Sequence, residues 1–288
     1  MGSVVTEFPG ERGRGRAPLA GGSDANPSES SNGLSPIPDQ SEQSTDSGPV
    51  ARIGQLSLGS VDILSVEVET DSGPIAIYAR EDNAVSIDAV GHDAASAQID
   101  LRLRGDALQF STRSIVQSKK PWRALKRPAT GLRVGLPRGL TIRATTRSGS
   151  VDVRGITGDV VIETESGSID LDGGCRSLTI VTESGNAHLS NLAGSLSFRS
   201  VSGLIDAAWA RLPANGAIDI KTGRGNVALG LPADARLRVQ FVTGPAAITN
   251  EFSSDPSAPV QLSVTTRAAL VSVKKIERST SDSPVARG

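Results

Sequence analysis

Ser148-Gly149-Ser150-Val151-Asp152-Val153, Ser166-Gly167-Ser168-Ile169-Asp170-Leu171 and Ser184-Gly185-Asn186-Ala187-His188-Leu189 are one block read three times, 18 residues apart. A fourth copy opens at Ser202-Gly203-Leu204-Ile205-Asp206-Ala207, and Gly225 and Gly244 extend the glycine series at spacings of 22 and 19. A fixed period of this length marks a repeat architecture, in which each unit buries its apolar face only against its neighbours. The period predicts a parallel β-solenoid.

Aligning the units on their glycines produces columns. Val151, Ile169, Ala187, Ile205 and Val227 share one, and Val153, Leu171, Leu189, Ala207 and Leu229 share another two places on. Between them lie Asp152, Asp170, His188, Asp206 and Ala228, the in-out-in alternation of a half-buried strand. A second strand follows about nine residues later, with Val160, Leu178, Leu196 and Ile218 aligned, then Ile162, Ile180, Phe198 and Ile220. Each rung therefore supplies two short strands and tight turns. Gly149, Gly167, Gly185, Gly203, Gly225 and Gly244 are expected at the corners, where a sharp bend often needs positive φ. Thr146, Thr164, Thr182, Ser200 and Thr222 form a hydroxyl column, and Pro213–Gly216 reads as a lengthened turn in the 22-residue unit.

Outward from this core the organisation changes. Residues 1–49 are rich in Ser, Gly, Pro and charged groups and are expected to be a disordered tail, with too little apolar area to offset ordering entropy. Residues 50–116 alternate with period two and read as an N-terminal β-strand region, with a turn at Asp71-Ser72-Gly73-Pro74. A basic, proline-containing loop occupies 117–130, and the solenoid repeats 131–252. Strands at 253–276 are expected to pair as a C-terminal hairpin, before a frayed tail at 277–288. The fold class is all-β: a parallel solenoid of about six 18–22-residue rungs, β-rich before it and closed by a hairpin after it.

Composition narrows function. Thirty Lys and Arg nearly cancel 31 Asp and Glu, so no nucleic-acid partner is expected. One cysteine, Cys175, excludes an intramolecular disulfide and a Cys-based zinc cluster. No apolar run reaches the roughly 18–20 residues of a membrane-spanning helix, and the N-terminus shows no secretory h-region. These features predict a cytoplasmic protein.

The reiterated Ser-Gly-Ser-Val-Asp-Val, Ser-Gly-Ser-Ile-Asp-Leu and Ser-Gly-Asn-Ala-His-Leu blocks resemble the bacterial putative-adhesin family of β-strand-repeat proteins, a domain of unknown function. The resemblance covers roughly 55–276 and is strongest over 140–252. It implies a surface-binding role and supplies no catalytic residues.

One candidate site column stands out on the surface: Asp152, Asp170, His188 and Asp206, about 5 Å apart in a parallel stack. Hard oxygen ligands at Asp152 and Asp170 could hold a cation, but a solvated charged face is the preferred reading, and no metal or cofactor is expected. Arg147, Glu165 and Glu183 with Asp170 imitate the carboxylate clusters of carbohydrate-active β-helices, yet Arg147, Glu165 and Glu183 alone form an ordinary surface ladder. The reading is a non-catalytic, adhesin-like binding module for a protein or a cell-envelope glycan. It is expected to be a monomer, with an end-to-end scaffold as one alternative and a carbohydrate-active enzyme as another.

Overall fold

The computed structural model describes residues 50–57, 63–91, 94, 98–113, 130–245 and 247–277, which hold 21 strands and no α-helix. The N-terminal tail, most of the basic loop and the C-terminal tail lie outside them. In chain order the strands are β1 (Val50–Ser57), β2 (Ser65–Thr70), β3 (Ile75–Arg80), β4 (Ala84–Val90), β5 (Gln98–Arg104), β6 (Ala107–Arg113) and β7 (Gly131–Pro137). The repeats supply β8 (Thr141–Thr146), β9 (Val151–Arg154), β10 (Asp159–Thr164), β11 (Ile169–Asp172), β12 (Ser177–Thr182), β13 (Ala187–Leu192), β14 (Ser195–Ser202), β15 (Ile205–Trp209), β16 (Gly216–Arg224) and β17 (Val227–Pro232). The chain continues through β18 (Leu237–Thr243), β19 (Ala247–Asn250), β20 (Val260–Ala268) and β21 (Leu270–Ile276).

Alternation builds each rung. In β12, Leu178, Ile180 and Thr182 are buried while Thr179 and Val181 face outward; in β13, Ala187 and Leu189 are buried and His188 is exposed. A strand with one apolar face must cover it, and each rung does so by folding its two strands against each other across the core. The solenoid thus has two faces, a ten-stranded first sheet and an eleven-stranded second sheet. Neighbouring rungs pair in parallel and in register: Val160 with Leu178 and Leu178 with Leu196, then Asp170 with Asp152 and His188. The columns read from the sequence are the columns of the structure. Each fully buried Ile or Leu in them contributes about 1.5–3 kcal/mol. Trp209 is also wholly buried, its indole N–H donating to Gly194 O at 3.1 Å.

Chain order and spatial order part company at both ends. The β2/β3 rung sits between the β8/β9 rung and the β6/β7 rung, so the first strands after β1 stack directly on the repeats. Strands β4, β5 and β1 then add antiparallel. At the other end the β20/β21 rung inserts between β16/β17 and β18/β19.

This corrects the expected C-terminal hairpin. Strands β20 and β21 belong to different sheets and face each other across the core, because Arg267-Ala268-Ala269 is another corner and Leu262, Val264, Val271 and Val273 must all reach the interior.

The expected positive φ accounts for only part of the corner-glycine series. It occurs at Gly167 (157°), Gly203 (154°) and Gly225 (124°) but not at Gly149, Gly185 or Gly244. What unites them is close stacking: a Cβ on Gly149, Gly167, Gly185, Gly203 or Gly225 would lie 1.7–2.4 Å from the carbonyl oxygen of the glycine one rung before. For Gly149 that neighbour is Gly73, so Ser72-Gly73 is a further member of the series. Gly244 stacks instead on Arg267 O, since the β20/β21 rung separates it from Gly225.

Candidate functional site

Parallel pairing brings Asp152, Asp170, His188 and Asp206 into one column on the outer face of the second sheet, flanked by Ala76 and Ala228. Asp152 accepts from Arg154 Nε at 3.0 Å, and His188 Nδ1 lies 3.4 Å from Asp206 Oδ2. Asp170, His188 and Asp206 are exposed. Among the described residues, no three His, Cys, Asp or Glu side chains converge as metal ligands would. The column is a row of solvated charges, partly neutralised from within.

Asp170 stands on the opposite face from Arg147, Glu165 and Glu183, so the carboxylate cluster imitating a glycosidase is not assembled. Arg147 reaches Asp71 at 3.5 Å and Glu165 at 3.6 Å. Cys175, beside Gly173-Gly174, reads in sequence as a turn residue but is buried. Burial and then the nearby Asp159 charge push its thiol up to about 11, which leaves it protonated and inert near neutrality.

The feature that does gather chemistry lies where the first-sheet strands run into the Ser-Gly corner. Thr70, Thr146, Thr164, Thr182, Thr222 and Thr266 are buried in one column, the only buried polar side chains among the described residues. All but Thr266 use their hydroxyls to satisfy nearby backbone. Gly149 N–H donates to Thr146 Oγ1 at 3.1 Å, Gly185 N–H to Thr182 Oγ1 at 2.9 Å, and Thr222 Oγ1 donates to Arg224 O at 2.9 Å.

On either side of this column the side chains project outward, framing an open trough of about 1200 Å³ across eight rungs. In stack order, one wall is Glu69, Thr145, Glu163, Val181, Arg199, Lys221, Thr265 and Val242. The other wall is Asp71, Arg147, Glu165, Glu183, Val201, Gly223, Arg267 and Gly244. The charge is divided along its length. The four rungs β2, β8, β10 and β12 place Glu69, Asp71, Glu163, Glu165 and Glu183 against Arg147 alone, while β14, β16 and β20 place Arg199, Lys221 and Arg267.

Val181, Val201 and Val242 are 43%, 67% and 52% exposed, apolar area that the fold itself leaves uncovered. No aromatic side chain lines the trough. Only the Arg147–Glu165–Glu183 segment was visible from sequence, as a ladder; its sign reversal at Arg199 belongs to a different strand position and needs the structure to align it.

Residues 140–272 match the family described as Toastrack DUF4097. That span extends past 252 to include β20 and the first three residues of β21, in keeping with their place in the stack. No curated protein matches the chain.

Among solved structures, a "putative adhesin" of Bacteroides fragilis is 12% identical with a TM-score of 0.39, covering 80% of this chain and 98% of its own. A "putative cell adhesion protein" of Clostridium sporogenes is 9% identical with a TM-score of 0.32, covering 79% and 98%. A "putative lipid binding protein" of Parabacteroides distasonis is 14% identical with a TM-score of 0.27, covering 80% and 98%.

Proposed function

We propose that this chain, whose residues 140–272 match the Toastrack DUF4097 family, is a non-catalytic binding module that takes its partner in the first-sheet trough. The observation that carries this reading is the alignment of exposed valines with charges of both signs across eight rungs. Interfaces of proteins combine an apolar centre with a charged rim in this way. A protein partner suits the lining better than a glycan, because no Trp, Tyr or Phe offers a flat ring on which a sugar could stack. The function is adhesion-like in the sense that a rigid, repetitive face presents the contact; the chemistry it needs is complementarity rather than a reacting group.

The test is retention of the purified chain on a cell-envelope fraction, with and without protease pretreatment of that fraction. Retention should be protease-sensitive, lost in the R199E/K221E double variant, and kept in D170N/H188A. Equal retention of the wild type and R199E/K221E would contradict the reading.

A second reading, the end-to-end scaffold, draws on the outer rung. Strands β18 and β19 are sheet edges, with Ile248 and Leu270 exposed beside them. Loop residues Ser254 and Asp255 cover only the start of β18, through Val239 N–H to Ser254 Oγ at 3.0 Å and Asp255 N–H to Leu237 O at 2.8 Å. Unpaired edges of this kind template further pairing. Ile248→Lys should abolish filaments if they form; a chain that sediments as a closed species at every concentration would exclude them.

A further inference from the structure

We infer that the partner presents to the trough a protein segment in which acidic and apolar residues alternate. The segment docks on the last four rungs of the stack, β14/β15, β16/β17, β20/β21 and β18/β19. The inference rests on the trough being the binding face and names the chemistry of what binds there.

The Ser-Gly corner beside the trough changes character part-way along the stack. Ser148, Ser166, Ser184 and Ser202 form one corner column, which continues as Arg224 and Ala268. Two places on, Ser150, Ser168 and Asn186 continue as Leu204, Asn226 and Leu270. Leu204 and Leu270 are 40% and 58% exposed. With Val201 and Val242 they form an apolar strip that turns over the corner along the basic half of the trough.

Charge divides at the same place. Arg199 lies directly across from Lys221, Arg224 stands on the same strand as Lys221, and Arg267 on the next rung. Like charges set opposite each other on paired strands are destabilising. Among the described residues Lys221 pairs with Asp219 at 2.9 Å, while Arg199, Arg224 and Arg267 are exposed and make no side-chain hydrogen bond or ion pair. The acidic half is better compensated, with Arg143 at 2.6 Å from Glu163 and Arg147 between Asp71 and Glu165. A segment bearing carboxylates is therefore attracted to the last four rungs and repelled by Glu165 and Glu183. The change of sign fixes where along the trough it lies.

Apolar residues between the carboxylates would cover Val201, Leu204, Val242 and Leu270. Four rungs span roughly 15 Å at about 4.8 Å per rung, the length of about five extended residues. An anionic bilayer fits less well. The lining has no Trp, Tyr or Phe, and Trp and Tyr are the side chains enriched where proteins meet the bilayer interface.

The experiment is fluorescence anisotropy of a labelled peptide of alternating Glu and Leu against the full chain. A Lys-Leu peptide of the same length and phosphatidylglycerol vesicles serve as the other probes, and circular dichroism checks the folding of each variant. The Glu-Leu peptide should bind the wild type about tenfold more tightly than the Lys-Leu peptide does, and more weakly as salt rises. The R224E/R267E variant should lose about tenfold in affinity for the Glu-Leu peptide and gain binding of the Lys-Leu peptide, whereas E165Q/E183Q should bind the Glu-Leu peptide at least as tightly as the wild type. Equal binding by wild type and R224E/R267E, tighter binding of the Lys-Leu peptide, or capture of the vesicles without the Glu-Leu peptide would overturn the inference. If the Glu-Leu peptide does not bind while R199E/K221E still loses protease-sensitive retention, this inference fails and the trough as a binding face survives. If retention is also unaffected, both fail.

Discussion

The Cα of Gly185 packs on the carbonyl oxygen of Gly167 so closely that a Cβ added there would sit 2.4 Å from it. The same contact recurs from Gly73 to Gly225 and sets the spacing of the corner. Backbone on both sides of the contact leaves no flexible side chain to yield. The Ser-Gly repeat is therefore a packing requirement between rungs, and the thermodynamics of the fold should be most sensitive there.

Gly185→Ala should cost about 3 kcal/mol or more, the upper end of what overpacking imposes. Gly139 meets nothing within 4 Å, so Gly139→Ala should be close to neutral. Urea midpoints of the two variants check this; equal midpoints would sink the stacking account.

The threonine column predicts opposite outcomes for one substitution. Thr182→Val removes the acceptor of the Gly185 N–H and should cost about 1–3 kcal/mol, the penalty of an orphaned buried donor. Thr266 Oγ1 is buried with no partner among the described residues, so Thr266→Val should be neutral or stabilising. Thermal melting of the pair distinguishes this from a uniform loss of hydroxyls.

Cys175 makes a prediction about alkaline pH. Its folded thiol ionises near 11, above the ordinary value of 9.0. Below pH 9 the thiol is protonated in both folded and unfolded chains and has no effect on the pH dependence. Above that the unfolded chain ionises first, so stability falls as pH rises toward 11. Cys175→Ala should lose this part of the slope, and a thiol reagent at pH 8 should label the wild type only on unfolding. Rapid labelling of the folded chain would contradict the burial argument.

The Asp152–Asp170–His188–Asp206 column should not respond to calcium. A ligand that binds only the native state raises the melting temperature by mass action, and the exposed, diverging carboxylates give calcium no cage. Millimolar calcium is expected to leave melting unchanged; a concentration-dependent rise would restore a metal site.

The repeat region was readable because its information is local. One glycine alignment fixes Ile169 beside Ala187, Leu178 beside Leu196 and Ile180 beside Phe198, since parallel in-register stacking preserves sequence columns.

Non-local choices were not readable. Ser72-Gly73 carries the same Thr-x-Ser-Gly signature as Thr146–Gly149, but β4 to β7 intervene and hide the period. Likewise β20 and β21 look like a hairpin because they are adjacent in chain, although Thr266 pairs in register with Thr222 and so stands at the equivalent corner. The trough was missed for a related reason. Its valines and charges are unremarkable singly, and their alternation of sign emerges only when Glu183 and Arg199 are set on opposite walls of neighbouring rungs.

Docking of the proposed partner on the first-sheet trough is distinguished from docking on the second-sheet column by where the partner crosslinks. Placing a photo-crosslinking residue, p-benzoylphenylalanine, at Val201 and separately at His188 tests it directly. Irradiation in the presence of the envelope fraction should give a crosslinked species from position 201 and none from position 188. Crosslinking from position 188 alone, or from neither, would contradict the account.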